Sequence, residues 1–187
     1  MLNYNSVTID SKKYSDLVIS EVKSITKINL RGKKRDFITK IGKSLSILPP
    51  TESNTSSSNE NLNLLWLSPD EWMLYSNKKL NSENDIYKLE DELFKEISKV
   101  NYGSVTNITD HWVMINLKGE KVYELLSTSC PFDFNNFKYN KGSVVQTVFN
   151  HIDVIIHNKN TNDLNLFVRR SFSDHLFSWM NDAASRM

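Results

Sequence analysis

Three small groups of residues in this sequence have types and spacings that could do chemistry. His151 and Asp153 sit two apart in a strand-like run, so both side chains fall on one face, where a carboxylate could orient an imidazole acting as a base. No nucleophile accompanies them, and the pair reads as structural. Cys130, the single cysteine, precedes Pro131; nothing basic or metal-binding adjoins its thiol, which reads as a small packed hydrophobe. Arg169-Arg170-Ser171 stands where a strand gives way to a helix, and two guanidinium groups beside a helix N-terminus could hold a carboxylate or a phosphate. Strand alternation sends the two arginines to opposite faces, which leaves a salt bridge to a neighbouring subunit equally open.

The remaining search for chemistry is negative. His111, His151, His157 and His175 are spread over different elements without metal-ligand spacing. The sequence holds no nucleophile elbow, H-E-x-x-H, paired C-x-x-C, phosphate loop or dinucleotide fingerprint. No catalytic, cofactor-binding or metal-binding residue is therefore assigned to this chain.

The elements that must carry these groups follow from periodicity and turn chemistry. Residues 1–20 are polar and mixed, and a loosely held N-terminal arm is expected. Residues 23–30 read as a strand stopped by Gly32; Phe37, Ile38, Ile41 and Leu45 then recur at helical spacing before Pro49-Pro50 forbids continuation. Residues 51–61, with Ser56-Ser57-Ser58, read as a polar loop. Residues 64–75 are the clearest hairpin, turning at Ser68-Pro69-Asp70-Glu71. Residues 84–99 form an amphipathic helix with Ile86, Leu89, Leu93, Phe94 and Ile97 on one face, and residues 104–109 resume strand character. The resulting β-α-β-β-α-β order is the split βαβ or ferredoxin-like arrangement.

A similar word then returns. Ile28-Asn29-Leu30-Arg31-Gly32-Lys33-Lys34 recurs as Ile115-Asn116-Leu117-Lys118-Gly119-Glu120-Lys121, and the same offset carries residues 84–97 onto residues 171–184. A period this long indicates two domain-sized halves rather than a solenoid. The second half reads as a strand over 112–117, a helix over 120–127, a loop through Cys130-Pro131-Phe132-Asp133, strands over 143–149, 152–157 and 164–169, and a last helix opened by Ser171 with Asp174 completing an acidic capping box. The fold class expected is α+β: two tandem ferredoxin-like (split βαβ) halves, about 21–109 and 110–187, forming one compact domain over 21–187.

The hairpin bears on function. If Leu67 faces Trp72 across the turn, Leu65 and Leu74 share their side, while Leu64, Trp66, Met73 and Tyr75 take the other. Both faces are apolar, yet the helices of a lone ferredoxin-like unit cover only one face of its sheet. The second face needs cover, from the duplicated half or from a partner subunit.

Composition bounds the partners. A chain of 187 residues can bury roughly 70% of its unfolded surface. One cysteine rules out an internal disulfide and fits a reducing compartment. Neither a basic, apolar leader nor a stretch near the roughly 20 residues of a membrane span is found, so a cytoplasmic protein without membrane attachment is expected. A net charge of +1 offers no broad basic field for nucleic acid.

Several separated segments carry a family resemblance. They are Leu65-Trp66-Leu67-Ser68-Pro69-Asp70-Glu71-Trp72; Ser127-Thr128-Ser129-Cys130-Pro131-Phe132-Asp133; Gln146-Thr147 with His151-Ile152-Asp153-Val154; and Val168-Arg169-Arg170-Ser171-Phe172 with Trp179 and Ala183-Ala184. In this order they resemble the gamma subunit of heterotetrameric sarcosine oxidase, from about Ile25 to the C-terminus. The loop at 51–61 and the doubled arginine depart from the family pattern, which more commonly has one arginine.

The resemblance implies a non-catalytic structural subunit, similar to the folate-binding domain of aminomethyltransferases, in an enzyme of alpha, beta, gamma and delta subunits. That enzyme oxidatively demethylates sarcosine to glycine, yielding hydrogen peroxide and, with tetrahydrofolate, methylene-tetrahydrofolate. FAD, FMN, NAD and the tetrahydrofolate site are implied for the larger subunits and zinc for delta; the alpha subunit is the implied direct partner. Candidate interface residues are Trp66, Trp72, Arg169, Arg170, Phe172 and Trp179. The alternative is a free-standing folate-binding or one-carbon transfer protein, which would need an acid to read the pterin's donor edge; Asp110 and Asp153 are the strand-associated candidates.

Overall fold

The computed structural model describes residue 6 and residues 11–22, 25–77, 84–99 and 103–187. In chain order the elements are β1 (Lys12–Tyr14), β2 (Leu17–Val22), β3 (Lys27–Gly32), α1 (Arg35–Leu45), β4 (Ser56–Ser58), β5 (Leu62–Ser68) and β6 (Glu71–Ser76). They continue with α2 (Asn84–Ile97), β7 (Gly103–Asn107), β8 (Trp112–Lys118), α3 (Val122–Ser127), β9 (Val144–Phe149), β10 (Ile152–Asn160), β11 (Asp163–Arg169) and α4 (Arg170–Ser185). The chain divides into two compact units, one of Ser24–Thr109 and one of Met1–Lys23 with Asp110–Met187.

The Ser24–Thr109 unit has one antiparallel sheet in the order β4-β5-β6-β3-β7. Apart from β4, this is the ferredoxin-like order, with the first strand between the third and fourth. α1 buries Phe37, Ile41 and Leu45, spaced one turn apart, and ends where Ser46 turns left-handed at φ 53° and returns its N–H to the Gly42 carbonyl. Those side chains meet Ile28, Leu30, Leu64, Trp72 and Leu74 of the sheet, with Leu93 and Ile97 of α2 completing the core. Phe94, expected on the buried face of α2, is 58% exposed. It lies about 100° around the helix from Leu93, which takes the place against the sheet.

The ring of Phe37 lies across the cross-strand pair Gly32 and Gly103; a Cβ on Gly103 would come within 2.2 Å of it and one on Gly32 within 2.7 Å. Only glycine admits an aromatic ring this close to the backbone. At the β5–β6 turn, Asp70 accepts a hydrogen bond from Ser68 Oγ at 2.8 Å and faces Lys33 at 3.7 Å and Arg31 at 3.9 Å. The Ser68 bond first, and then the two cations, hold its carboxyl below the usual range.

Four features of this unit correct the sequence-based reading. Trp66 stands opposite Trp72 and Leu64 opposite Leu74, because the extra residue Leu67 is bulged between the Trp66 and Ser68 pairs. A one-residue slip exchanges faces: Leu64, Trp72 and Leu74 turn to the helices, while Leu65, Met73 and Tyr75 take the opposite face, each at most 1% exposed. Both faces of the hairpin thus carry buried side chains. The strand expected over 23–30 begins at Lys27, and Val22 belongs to β2. Residues 51–61 are not all loop, since β4 pairs with β5 with Ser56 opposite Leu65; three serines at a sheet edge give no periodic signal.

The second unit's sheet runs β1-β2-β8-β11-β10-β9. Its β10, β11 and β8 repeat the order of β5, β6 and β3, but the strand on the far side of β8 comes from the N-terminal segment. β2 pairs antiparallel with β8, Val18 opposite Lys118 and Val22 opposite Met114. The residues expected to be a loose arm are therefore structural from Lys12 onward. Leu17 and Ile19 are buried with Ile115, Leu117, Leu164 and Leu166, contacts whose distance along the chain hides them from local reading. Gly119, the repeat of Gly32, has φ 130°, and a Cβ there would stand 2.1 Å from the Asp16 carbonyl oxygen.

Asn150 and His151, both left-handed at φ 47° and 65°, make the two-residue turn between β9 and β10. α4 buries Leu176, Met180 and Ala184, each one turn further along. It starts one residue before the expected cap: Arg169 is the extended N-cap residue, without a side-chain cap bond, and the Arg170 N–H donates to the His111 carbonyl at 2.9 Å. Ser171 and Asp174 consequently form no capping box. Among the described residues, no helix is long and apolar enough to cross a membrane.

Candidate functional site

Four of the six residues chosen as interface candidates lie at the start or along the outer side of α4. Phe172 is 49% exposed and Trp179 41%. Seven residues apart, they fall on one helix face about 10 Å from each other along the axis, with the exposed His175 between them. Arg169 is exposed at the helix entrance and Arg170 half-buried beside it. Trp66 is half-buried at the edge of the other unit's core. Trp72 is a correction: it is 2% exposed, packs on Phe37 with ring centroids 6.2 Å apart, and its indole N–H donates to the Pro50 carbonyl at 2.8 Å. A side chain so enclosed offers no area for docking.

Trp179 also forms one wall of an open groove of about 670 Å³, whose other walls are the segment 127–131, Val148 and the Asn150-His151 turn. The Trp179 indole N–H donates to Ser129 Oγ at 3.0 Å, and the Asn150 N–H donates to the Ser129 carbonyl at 3.0 Å, so Ser129 joins helix, loop and turn. Cys130 is 8% exposed and its thiol meets Thr147 Oγ1 at 3.7 Å. That places it as the packed hydrophobe its surroundings in the sequence suggested.

The segment beyond the groove is rigidly supported. Phe132, Phe134 and Phe137 pack edge to face, with centroids 5.0 to 5.7 Å apart. The fully buried Asn158 donates from Nδ2 to the carbonyls of Phe137 at 2.6 Å and Asn140 at 3.0 Å. The left-handed Asn150-His151 turn brings the His151 imidazole to the groove wall, away from the strand face it was expected to share with Asp153. No hydrogen bond joins His151 to Asp153 or to Cys130 among the described residues, so no base-orienter or thiol-imidazole pair is formed. His157 is core: 3% exposed, with its pKa pushed down to about 4 by burial and secondarily by the Lys159 charge.

A second cluster, missed by sequence reasoning, surrounds Arg169. Its guanidinium stacks over the Trp112 ring at 5.3 Å, and Nη1 donates to His111 Nε2. The signal was the pairing of β8 with β11, which sets Arg169 opposite Trp112. Neither Asp110, exposed in the turn before β8, nor Asp153, exposed on β10, lines the groove. A pterin placed there would find no carboxylate for its donor edge. Among the described residues no group of three or more His, Cys, Asp or Glu side chains is placed to hold a metal ion. The groove thus offers hydroxyls, an indole, a thiol and an imidazole, polar and apolar groups suited to seating a projecting side chain.

Of the segments carrying the resemblance, 127–131, His151 and Trp179 meet at this groove and 168–172 forms the entrance of α4, while 65–72 is the β5–β6 hairpin of the other unit. A model of the sarcosine oxidase gamma subunit family matches residues 33–186. The chain belongs to that family. Among solved structures it is similar to heterotetrameric sarcosine oxidase from Corynebacterium sp. U-96 in complex with pyrrole 2-carboxylate, at 21% identity and a TM-score of 0.81, covering 91% of this chain and 84% of that one. It is also similar to the glycine cleavage system aminomethyltransferase T from Bartonella henselae, at 15% identity and a TM-score of 0.61, covering 87% of this chain and 44% of that one. These two likenesses show the shared α+β fold. No curated protein matches the sequence significantly.

Proposed function

We propose that this gamma-family chain is a structural, non-catalytic subunit of a cytoplasmic heterotetrameric sarcosine oxidase and docks most directly on the alpha subunit. The observation that carries this reading is the family match across residues 33–186. Geometry supports the docking role, because α4 presents two exposed aromatic rings, Phe172 and Trp179, and Trp179 borders a supported groove lined by residues 127–131 and His151. Trp179 and Phe172 supply large, stiff apolar area, which is what an interface anchor needs. Cys130, the phenylalanine triad and Asn158 hold the groove's shape before a partner arrives, so little ordering entropy is lost on binding.

In the assembly, oxidative demethylation of sarcosine to glycine, with peroxide release and methylene-tetrahydrofolate formation, is assigned to the other subunits. FAD, FMN, NAD and tetrahydrofolate are assigned to the larger ones and zinc to delta. This chain contributes binding area and orientation only.

The test is co-expression with the alpha-, beta- and delta-like subunits of the same cell, purification through a tag on this chain, and assay of flavin content and sarcosine-dependent peroxide. A co-purifying active flavoprotein is expected. A lone colourless chain would overturn the reading.

A further inference from the structure

The entrance of α4 is unusual in its charge. Arg169 occupies the N-cap position, Arg170 follows it, and the first turn holds no acidic residue. Cations are normally disfavoured at a helix N-terminus, where the backbone dipole is already positive. Arg169 has no carboxylate within ion-pair distance among the described residues, and its hydrogen-bond partner is a ring nitrogen of His111. His111 carries no negative charge, so the contact orients the guanidinium without neutralising it.

The side chain is nevertheless held. Trp112 lies under the guanidinium plane at 5.3 Å, the His111 and Trp112 rings are 5.8 Å apart at 30°, and the His111 carbonyl accepts from the Arg170 N–H at 2.9 Å. Fixing an exposed arginine costs rotamer entropy. Nothing in the fold core depends on this side chain, which lies beyond the end of the buried run of β11. A guanidinium has five N–H donors in a fixed fork, and among the described residues His111 engages one of them.

We infer that Arg169, held by Trp112 and His111 at the entrance of α4, is the anchor for an acidic side chain of the partner subunit. This rests on the subunit reading above and specifies its chemistry. The positive helix end and the first turn without an acid make the local potential complementary to a carboxylate. The stack presents the fork already oriented for bidentate contact. Phe172, two residues into α4 and 49% exposed, adjoins this entrance, so the ion pair would lie at the edge of the apolar patch.

The experiment uses the co-expressed complex, captured through a tag on this chain and washed at rising NaCl. Wild type, Arg169→Gln, Arg169→Lys and His111→Ala are compared for retained partner. Arg169→Gln is expected to bind about tenfold or more weakly and to release the partner at salt that wild type withstands. Arg169→Lys, which keeps the charge but not the planar fork, should fall between them, and His111→Ala should weaken retention less than Arg169→Gln. Equal retention by Arg169→Gln and wild type at every salt step overturns the inference and leaves the subunit reading standing. Should Arg169→Gln fail to accumulate, Arg169→Lys decides: retention equal to wild type overturns the inference. If wild type itself retains no partner, both fall.

Discussion

The Trp179 indole N–H donates to Ser129 Oγ at 3.0 Å, tying the last helix to the loop after α3 at the rim of one groove. The bond fixes a ring that is still 41% exposed, the combination expected of an interface anchor. Trp179→Ala should therefore lower the stability of the chain by less than about 1 kcal/mol, as for most surface changes. Its association with the partner subunit should weaken by about 2 kcal/mol or more, the range of an aromatic hot spot. Denaturant unfolding and salt-wash retention measure the two effects separately, and a loss confined to stability would show that the ring is packing only.

Trp72 should behave in the opposite way. Its burial, its packing on Phe37 and its bond to the Pro50 carbonyl make it a core residue. Trp72→Ala should cost about 3–5 kcal/mol in urea unfolding. Whatever folded protein remains should keep its affinity for the partner. Unchanged stability with lost assembly would contradict the burial.

Phe37 and Gly32 form a coupled pair. A methyl group on Gly32 would press into the Phe37 ring at 2.7 Å, so Gly32→Ala should destabilise by about 1–3 kcal/mol. In Phe37→Ala the ring is gone and the methyl group has room. The double variant should then be less destabilised than the sum of the singles, by at least about 0.5 kcal/mol. Simple additivity in thermal or urea unfolding would mean that the ring does not rest on the glycine.

The N-terminal strands can be tested by truncation. Removal of residues 1–22 takes away β1 and β2, uncovers the edge of β8, and deletes Leu17 and Ile19 from the core. An uncovered edge invites strand pairing between molecules. Aggregation, or unfolding at markedly lower urea, is the expected result; a truncated chain as soluble and stable as the whole would show the segment to be dispensable.

His157 makes stability depend on pH. Its folded pKa is pushed down to about 4, below its ordinary 6.5, so between these values the unfolded chain binds the proton more readily. Stability from this group is complete above pH 6.5 and is lost as pH falls toward 4, by about 3 kcal/mol in all. His157→Gln should flatten that part of the pH profile in urea unfolding. Identical slopes for the two proteins would place the acid sensitivity elsewhere.

Much of this architecture is legible in the sequence because it is local. The Gly32/Gly119 repeat, the apolar spacing in α1 and α4 and the Ser68-Pro69-Asp70-Glu71 turn lead to two ferredoxin-like halves. What escapes is set by distance or by a single residue. β2 completes the second half from far along the chain; Leu67, by bulging, brings Leu64 and Trp66 onto the face of Trp72 and Leu74; and the Arg170 bond to His111 starts α4 one position before the Ser171 cap. In the site, Ser129, Cys130, His151 and Trp179 are visible as separate motifs. Their meeting around one groove depends on the left-handed Asn150-His151 turn, and the Trp112 and His111 support of Arg169 depends on strand register. The strand register is not encoded in adjacent residues.

Amide hydrogen exchange, comparing the isolated chain with the chain in the assembled complex, tests most directly that this gamma-family protein docks through the groove and α4. Slowed exchange on assembly is predicted at residues 127–131, at the 150–151 turn and along the outer side of 170–180. Exchange unchanged there, with protection confined to other surfaces, would contradict that surface as the interface.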